Sequence, residues 1–192
     1  MKPTVTSESS PLEVDFLTSD LLGRPGQIAM TMAPGKQDEE AEIIWKRDLQ
    51  ADLKRLREYY GINHLICLLE DEELHQLGIP ELLRQAPAHG LITEHFPIAD
   101  EGLPDSMAAF SALVERVVAA LSAGKTVLIH CKGGRGRTGM LAAACLVKLG
   151  YSPEAAIAKV RQIRSGALST VIKQDYVFRF YHASQPALTQ DL

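Results

Sequence analysis

Ten residues, HCKGGRGRTG at 130–139, constrain this chain more than any other stretch. They carry four glycines and three cations between an apolar, β-branched run at 126–129 and an alanine- and leucine-rich run that Gly150 stops. Glycines let the backbone take positive φ and turn successive N–H groups inward, and a helix that begins there adds unpaired donors and partial positive charge. The segment reads as an anion-binding turn between a strand and a helix.

Three motifs compete for it. Gly134-x-Gly136-x-x-Gly139 matches a dinucleotide fingerprint, with Glu154 twenty positions after Gly134. In dinucleotide folds that acid closes a second strand, whereas Glu154 follows Ser152-Pro153 at a helix start. Gly124-Lys125-Thr126 resembles the end of a Walker A loop, but Ala119 stands where its first glycine belongs and a strand follows. The third motif is Cys131-x₅-Arg137-Thr138, with the cysteine ending a strand and the arginine opening a helix. A small buried hydrophobe, the reading that suits Cys145, fits poorly in a loop of cations.

That third reading makes chemistry. Helix N-termini and neighbouring cations favour an ionised sulfur, so Cys131 is expected to be a nucleophilic thiolate. Lys132, Gly133, Gly134, Arg135 and Gly136 would curl around a phosphate, and Arg137 would offer two parallel donors to its oxygens in a fork lysine cannot reproduce. Thr138 would donate to the sulfur as it leaves, and His130 would orient the loop from behind. A proton for the departing ester oxygen needs a carboxyl, and Asp100, Glu101 and Asp105 all lie in one loop upstream. Asp105 also suits a helix start and Glu101 a solvated loop.

The remainder of the chain alternates strand and helix signals. Strands are expected at 27–32, 62–69, 91–98 and 126–130. Helices are expected at 38–60, from Pro104-Asp105-Ser106 to 123, to 149, from Ser152-Pro153-Glu154, and at 170–182. The fold class is α/β: a central, mostly parallel sheet of four or five strands with helices on both faces. One domain is expected at 12–182, with a flexible N-terminal tail at 1–11 and a C-terminal tail at 183–192. Arg161 and Arg164 read as a solvated helix face.

With 192 residues, 46% of them hydrophobic, the chain is long enough for one core. Its net charge of -4 excludes a long-range positive field that would gather nucleic acid. No apolar run approaches the ~20 residues that span a bilayer, so no stable membrane insertion is expected, and the start lacks a secretion signal. Three cysteines make neither a disulfide framework nor a ligand array, and His64 with Cys67 is not a metal site. The expectation is a monomer of a reducing, cytoplasmic compartment without metal or cofactor.

HCKGGRGRTG resembles the signature loop of cysteine-dependent protein tyrosine phosphatases. Over 12–182 the chain resembles the kinase-associated phosphatase group of dual-specificity enzymes (cyclin-dependent kinase inhibitor 3 type), through PIADEGLPD (97–105), TVLIHCKGGRGRTG (126–139), SPEAAI (152–157) and ALSTVIKQDYVFRF (167–180). The resemblance implies a dual-specificity phosphatase-like fold. It implies hydrolysis of phosphate esters on proteins, at phosphotyrosine and extending to phosphoserine and phosphothreonine, through a cysteinyl-phosphate. It assigns the acid to Asp100, gives Gln174, which also suits a plain polar helix position, a part in placing substrate or water, and suggests a kinase as partner. In some relatives a cysteine on the strand of Cys67 pairs with the nucleophile as its redox partner, although Cys67 reads first as a buried core cysteine. Lys132 and Arg135 depart from this group and resemble the basic loop of phosphatase-and-tensin-homologue lipid phosphatases, which makes a phosphoinositide or inositol phosphate the alternative substrate. A non-catalytic phosphoprotein-binding module is the alternative of another class, and a reactive thiol argues against it.

Overall fold

The computed structural model describes residues 2–185. Along the chain run β1 (Thr4–Thr6), β2 (Asp15–Leu17), α1 (Ser19–Leu22), β3 (Gln27–Thr31), β4 (Gln37–Asp38), β5 (Ile44–Lys46), α2 (Leu49–Glu58) and β6 (His64–Cys67). There follow α3 (Asp71–Gln76), α4 (Leu82–Gln85), a 3₁₀ turn (Ala86–His89), β7 (Ile92–His95), α5 (Met107–Ser122), β8 (Thr126–His130), α6 (Gly136–Lys148), α7 (Pro153–Ile163) and α8 (Val171–Ser184).

The apolar run before the glycine-rich loop becomes β8, the middle strand of a five-stranded sheet ordered β2-β3-β8-β6-β7. Only β2 runs antiparallel. Val127, Leu128 and Ile129 are all buried, and successive strand residues point to opposite faces, so the sheet is covered on both sides as expected. Register places Thr31 and Cys67 on either side of His130, which aligns the carboxyl ends of three strands beneath the loop. Ligands in open parallel sheets sit off such ends.

Helix α6 is buried on every side from Arg137 to Val147, packed against β8, β3 and the helices α5, α7 and α8. A helix apolar all round belongs at the centre of a core, and this one aims its N-terminus at the end of β8. The caps follow local chemistry: Ser106 accepts from Ala109 N–H at 3.1 Å and Ser152 from Ala155 N–H at 3.2 Å, each at the expected helix start.

Two expectations are corrected. The helix read over 38–60 is confined to Leu49–Glu58, because residues 38–42 have helix-forming composition but no apolar stripe to bury. Instead β4 and β5 form an antiparallel pair, and Asp48 caps α2 by accepting from Ala51 N–H at 2.8 Å. The first eleven residues are not simply a flexible tail. β1 pairs in parallel with β5, and Ser7 Oγ donates at 2.8 Å to Asp52, a buried carboxylate that also takes two bonds from the Arg47 guanidinium. At the other end α8 runs past the expected stop to Ser184, and 186–192 lie outside the described residues.

Candidate active site

The loop after β8 is held by its own glycines and by an arginine behind it. Gly134 has φ 66°, and a Cβ there would stand 2.1 Å from the Thr31 carbonyl oxygen at the end of β3, so no other residue fits. Arg164 donates through Nε to the Gly134 carbonyl and through Nη2 to the Gly133 carbonyl at 3.2 Å, while Nη1 reaches Asp15 at 2.7 Å. In a planar trans peptide the N–H points away from its C=O, so carbonyls fixed on Arg164 turn the Gly134 and Arg135 amides the other way. The arginine expected on a solvated face is thus a buckle for the loop. Arg161 is likewise tied to carbonyls, those of Ala167 at 3.2 Å and Leu168 at 2.6 Å.

A cavity of about 430 Å³ opens above the loop. Cys131, Lys132, Gly133, Arg135, Gly136 and Arg137 line it, with Asp100 and Glu101 from the segment after β7, Lys36 from the turn after β3, and Lys173 from α8. The structure therefore brings together most residues singled out in the sequence. Cys131 is buried at its floor. Asp105 is exposed just before the Ser106 cap and does not line the cavity.

Arg137 is buried and turned toward α3. Its Nη1 and Nη2 donate to the two Glu73 carboxylate oxygens at 2.6 and 2.8 Å, Nη1 also reaches the Ile98 carbonyl at 2.8 Å, and Nη2 reaches Asp100 Oδ1 at 3.0 Å. The parallel pair of donors expected for a phosphoryl group is thus occupied by Glu73, a correction to the sequence reading. Phosphoryl oxygens are left with Nε, which has no partner among the described residues, and with Nη2 once Asp100 moves aside. Burial alone would lower the guanidinium's proton affinity. Glu73 hydrogen bonding, with the charges of Cys131, Glu73 and Asp100, outweighs burial and raises it. Arg137 therefore stays a cation.

Geometry bears on three further expectations. Gln174 donates to the Leu168 carbonyl at 3.0 Å and does not line the cavity; its neighbour Lys173 does. The Thr138 hydroxyl is buried with no partner among the described residues, so the expected bond to the Cys131 sulfur is not formed. Cys67 is a free buried thiol at the end of β6 beside His130, and burial pushes it up to about 12. Among the described residues, no group of three or more His, Cys, Asp or Glu could hold a metal ion.

His130 sits under the loop with Nδ1 3.4 Å from the Cys131 carbonyl oxygen, and burial first, helped by nearby Arg137 and His95, lowers it from 6.5 to about 4. The folded protein keeps this ring neutral where the unfolded chain would protonate it. Stability therefore falls as pH drops from 6.5 toward 4, by roughly 2–3 kcal/mol from this one group. Urea midpoints at about pH 7 and pH 4.5 should diverge more for the wild type than for His130→Asn; equal divergence would mean other groups carry the acid sensitivity.

Glu73, Lys36 and Lys173 were not singled out by their sequence, and Arg164 was read only as solvated. Only Glu73 left a local signal: Glu70 and Glu73 form a reciprocal capping box at the start of α3.

Comparisons with known proteins agree with this geometry. Residues 2–157 match the family described as Cyclin-dependent kinase inhibitor 3 (CDKN3). The human protein Cyclin-dependent kinase inhibitor 3 is 31% identical over 179 residues, 92% of this chain and 82% of that one. A crystal structure of kinase associated phosphatase, with its catalytic-site cysteine replaced by serine, superposes with a TM-score of 0.82 at 30% identity, covering 92% of this chain and 99% of that one. Phosphatidylglycerophosphate phosphatase PTPMT1 of Arabidopsis thaliana is 37% identical over 135 residues, 69% of this chain but 38% of its own length. A sulfur under a glycine loop, an arginine at its edge and a family match over most of the length together mean that this chain belongs to the cyclin-dependent kinase inhibitor 3 family, and so to the cysteine-dependent phosphatases.

Proposed function

We propose that the protein removes phosphate from phosphotyrosine and from phosphoserine or phosphothreonine of a protein substrate, through a phosphate bound to Cys131. One observation carries the reading: Cys131 forms the floor of a cavity whose walls hold Arg137 and Asp100, 3.0 Å from each other. The incoming phosphoryl group takes Nη2 of Arg137 and displaces Asp100, which frees the carboxyl to face the ester oxygen. The sulfur forms a bond to phosphorus as the P–O ester bond breaks, and Asp100 gives its proton to the departing oxygen. Water then attacks the cysteinyl-phosphate, Asp100 takes back a proton, and inorganic phosphate leaves the thiolate. The loop amides and Arg137 stabilise the charge on the equatorial oxygens in both steps.

The cation count around the cavity bears on substrate class. Lys36 and Lys132 both approach the single carboxylate of Asp38, at 3.3 and 3.9 Å, and Lys173 lies 3.2 Å from Glu101, so two local carboxylates offset two of these three positive charges. A single phosphate suits such a balance better than the polyphosphorylated headgroup that Lys132 and Arg135 suggest in isolation. A kinase or another phosphorylated protein is the partner class that fits, in keeping with the names of the human relative and of the crystallised phosphatase. Under one set of conditions, phosphotyrosyl and phosphothreonyl peptides should release phosphate at least roughly tenfold faster, by kcat/KM, than soluble phosphoinositides. The reverse order would replace the protein substrate with a lipid one.

A further inference from the structure

Lys173 is almost wholly buried on the first turn of α8, a burial that lysine rarely accepts without a partner. Space for it comes from Gly136, where a Cβ would stand 3.1 Å from Lys173 Cε. Its ammonium enters the cavity 3.2 Å from Glu101 Oε2. Glu101 is itself out of the ordinary. It has φ 54°, a backbone state that glycine takes freely and a glutamate resists, and its side chain is 77% exposed, so packing does not hold it there.

Among the described residues Asp100, one residue earlier, has only Arg137 Nη2 as a side-chain partner, the tie that the substrate must break. We propose that the Glu101–Lys173 ion pair is a latch that keeps segment 99–103 over the cavity after Asp100 lets go of Arg137. Lys173 is then a positioning residue that acts through Glu101 on proton transfer by Asp100. The inference rests on the reading of Asp100 as the acid. It explains why a glutamate occupies a position whose backbone favours glycine, and why a lysine ammonium is buried at the head of α8. Within the segment, the Gly102 amide bonds the Ala99 carbonyl at 2.9 Å and the Glu101 amide bonds Asp100 Oδ1 at 3.1 Å, so both amides report whether the turn stays closed.

The test compares the full chain with Glu101→Gln, Glu101→Gly, Lys173→Met and the double variant Glu101→Gln/Lys173→Met. In native-state hydrogen exchange the amides of Glu101 and Gly102 should exchange roughly tenfold faster in each single variant, with no further gain in the double. Glu101→Gly relieves the φ strain, so its thermal midpoint should not fall, and an equal gain in Glu101→Gln, which adds no glycine freedom to the backbone, assigns faster exchange to the lost ion pair. That variant also carries the test should Lys173→Met fold poorly. Unchanged exchange in Glu101→Gly overturns the latch.

Turnover supplies a second readout. The loss should be about tenfold larger on an alkyl phosphate than on p-nitrophenyl phosphate, and should appear in kcat rather than KM. A KM raised for both esters in Lys173→Met, with Glu101→Gly indifferent, would make Lys173 a direct phosphate ligand and sink the latch. If the wild type hydrolyses no ester at all, the phosphatase reading fails, and the exchange rates still decide the latch.

Discussion

Cys131→Ser abolishes turnover of p-nitrophenyl phosphate, a fall on the order of 10⁴-fold or more, while the protein still binds phosphotyrosyl peptide. The serine hydroxyl occupies the same place at the end of β8, beneath the same amides, but it is not ionised near neutral pH and so is a far weaker nucleophile. The other two thiols cannot substitute. Cys67 and Cys145 are buried and burial raises both, Cys67 to about 12, so each remains a protonated thiol away from the cavity lining. Because serine is nearly isosteric and Arg137 keeps Glu73, the thermal midpoint should move by no more than a few degrees, about 1 kcal/mol. Activity retained within tenfold of wild type would place the nucleophile elsewhere; loss of peptide binding along with activity would point to a damaged loop rather than a missing sulfur.

The centre of this site was legible because its signals are local. An apolar run, a glycine loop and a helix that starts with arginine and threonine lie consecutively in the chain, and each is set by backbone chemistry within a few residues. Supports that come from elsewhere left little trace. Glu73 stands 64 positions before Arg137, and its capping box with Glu70 marks a helix start and nothing about the loop that α3 packs beside. Arg164 is 30 residues from the Gly134 carbonyl it holds, in extended backbone just past the end of α7, where the sequence reads as a continuing solvated helix face. Lys173 lines the cavity where a role was expected of Gln174, and helix phase is the reason. Adjacent helical residues point about 100° apart, so one faces the cavity and the other the Leu168 carbonyl, and the apolar stripe of α8 did not fix which. The helix expected from 38 failed for the opposite reason, since composition there suggested a helix but offered no face to bury.

Asp100→Asn separates positioning from proton transfer. Asparagine keeps the shape and can still accept from Arg137 Nη2 through its amide oxygen, so the segment after β7 should stay in place. What it lacks is the proton. An alkyl phosphate, whose departing oxygen must be protonated, should lose on the order of 10²- to 10⁴-fold in kcat; p-nitrophenyl phosphate, whose leaving group is stable as an anion, should lose far less. The alkaline limb of the rate profile on the alkyl ester should flatten in the same variant. Equal losses on both esters would transfer the role to another carboxyl, and the geometry narrows that choice. Asp105 is exposed and does not line the cavity, so Glu101, already beside Lys173, would become the acid, and the ion pair would serve to hold a reacting group instead of the turn that carries one.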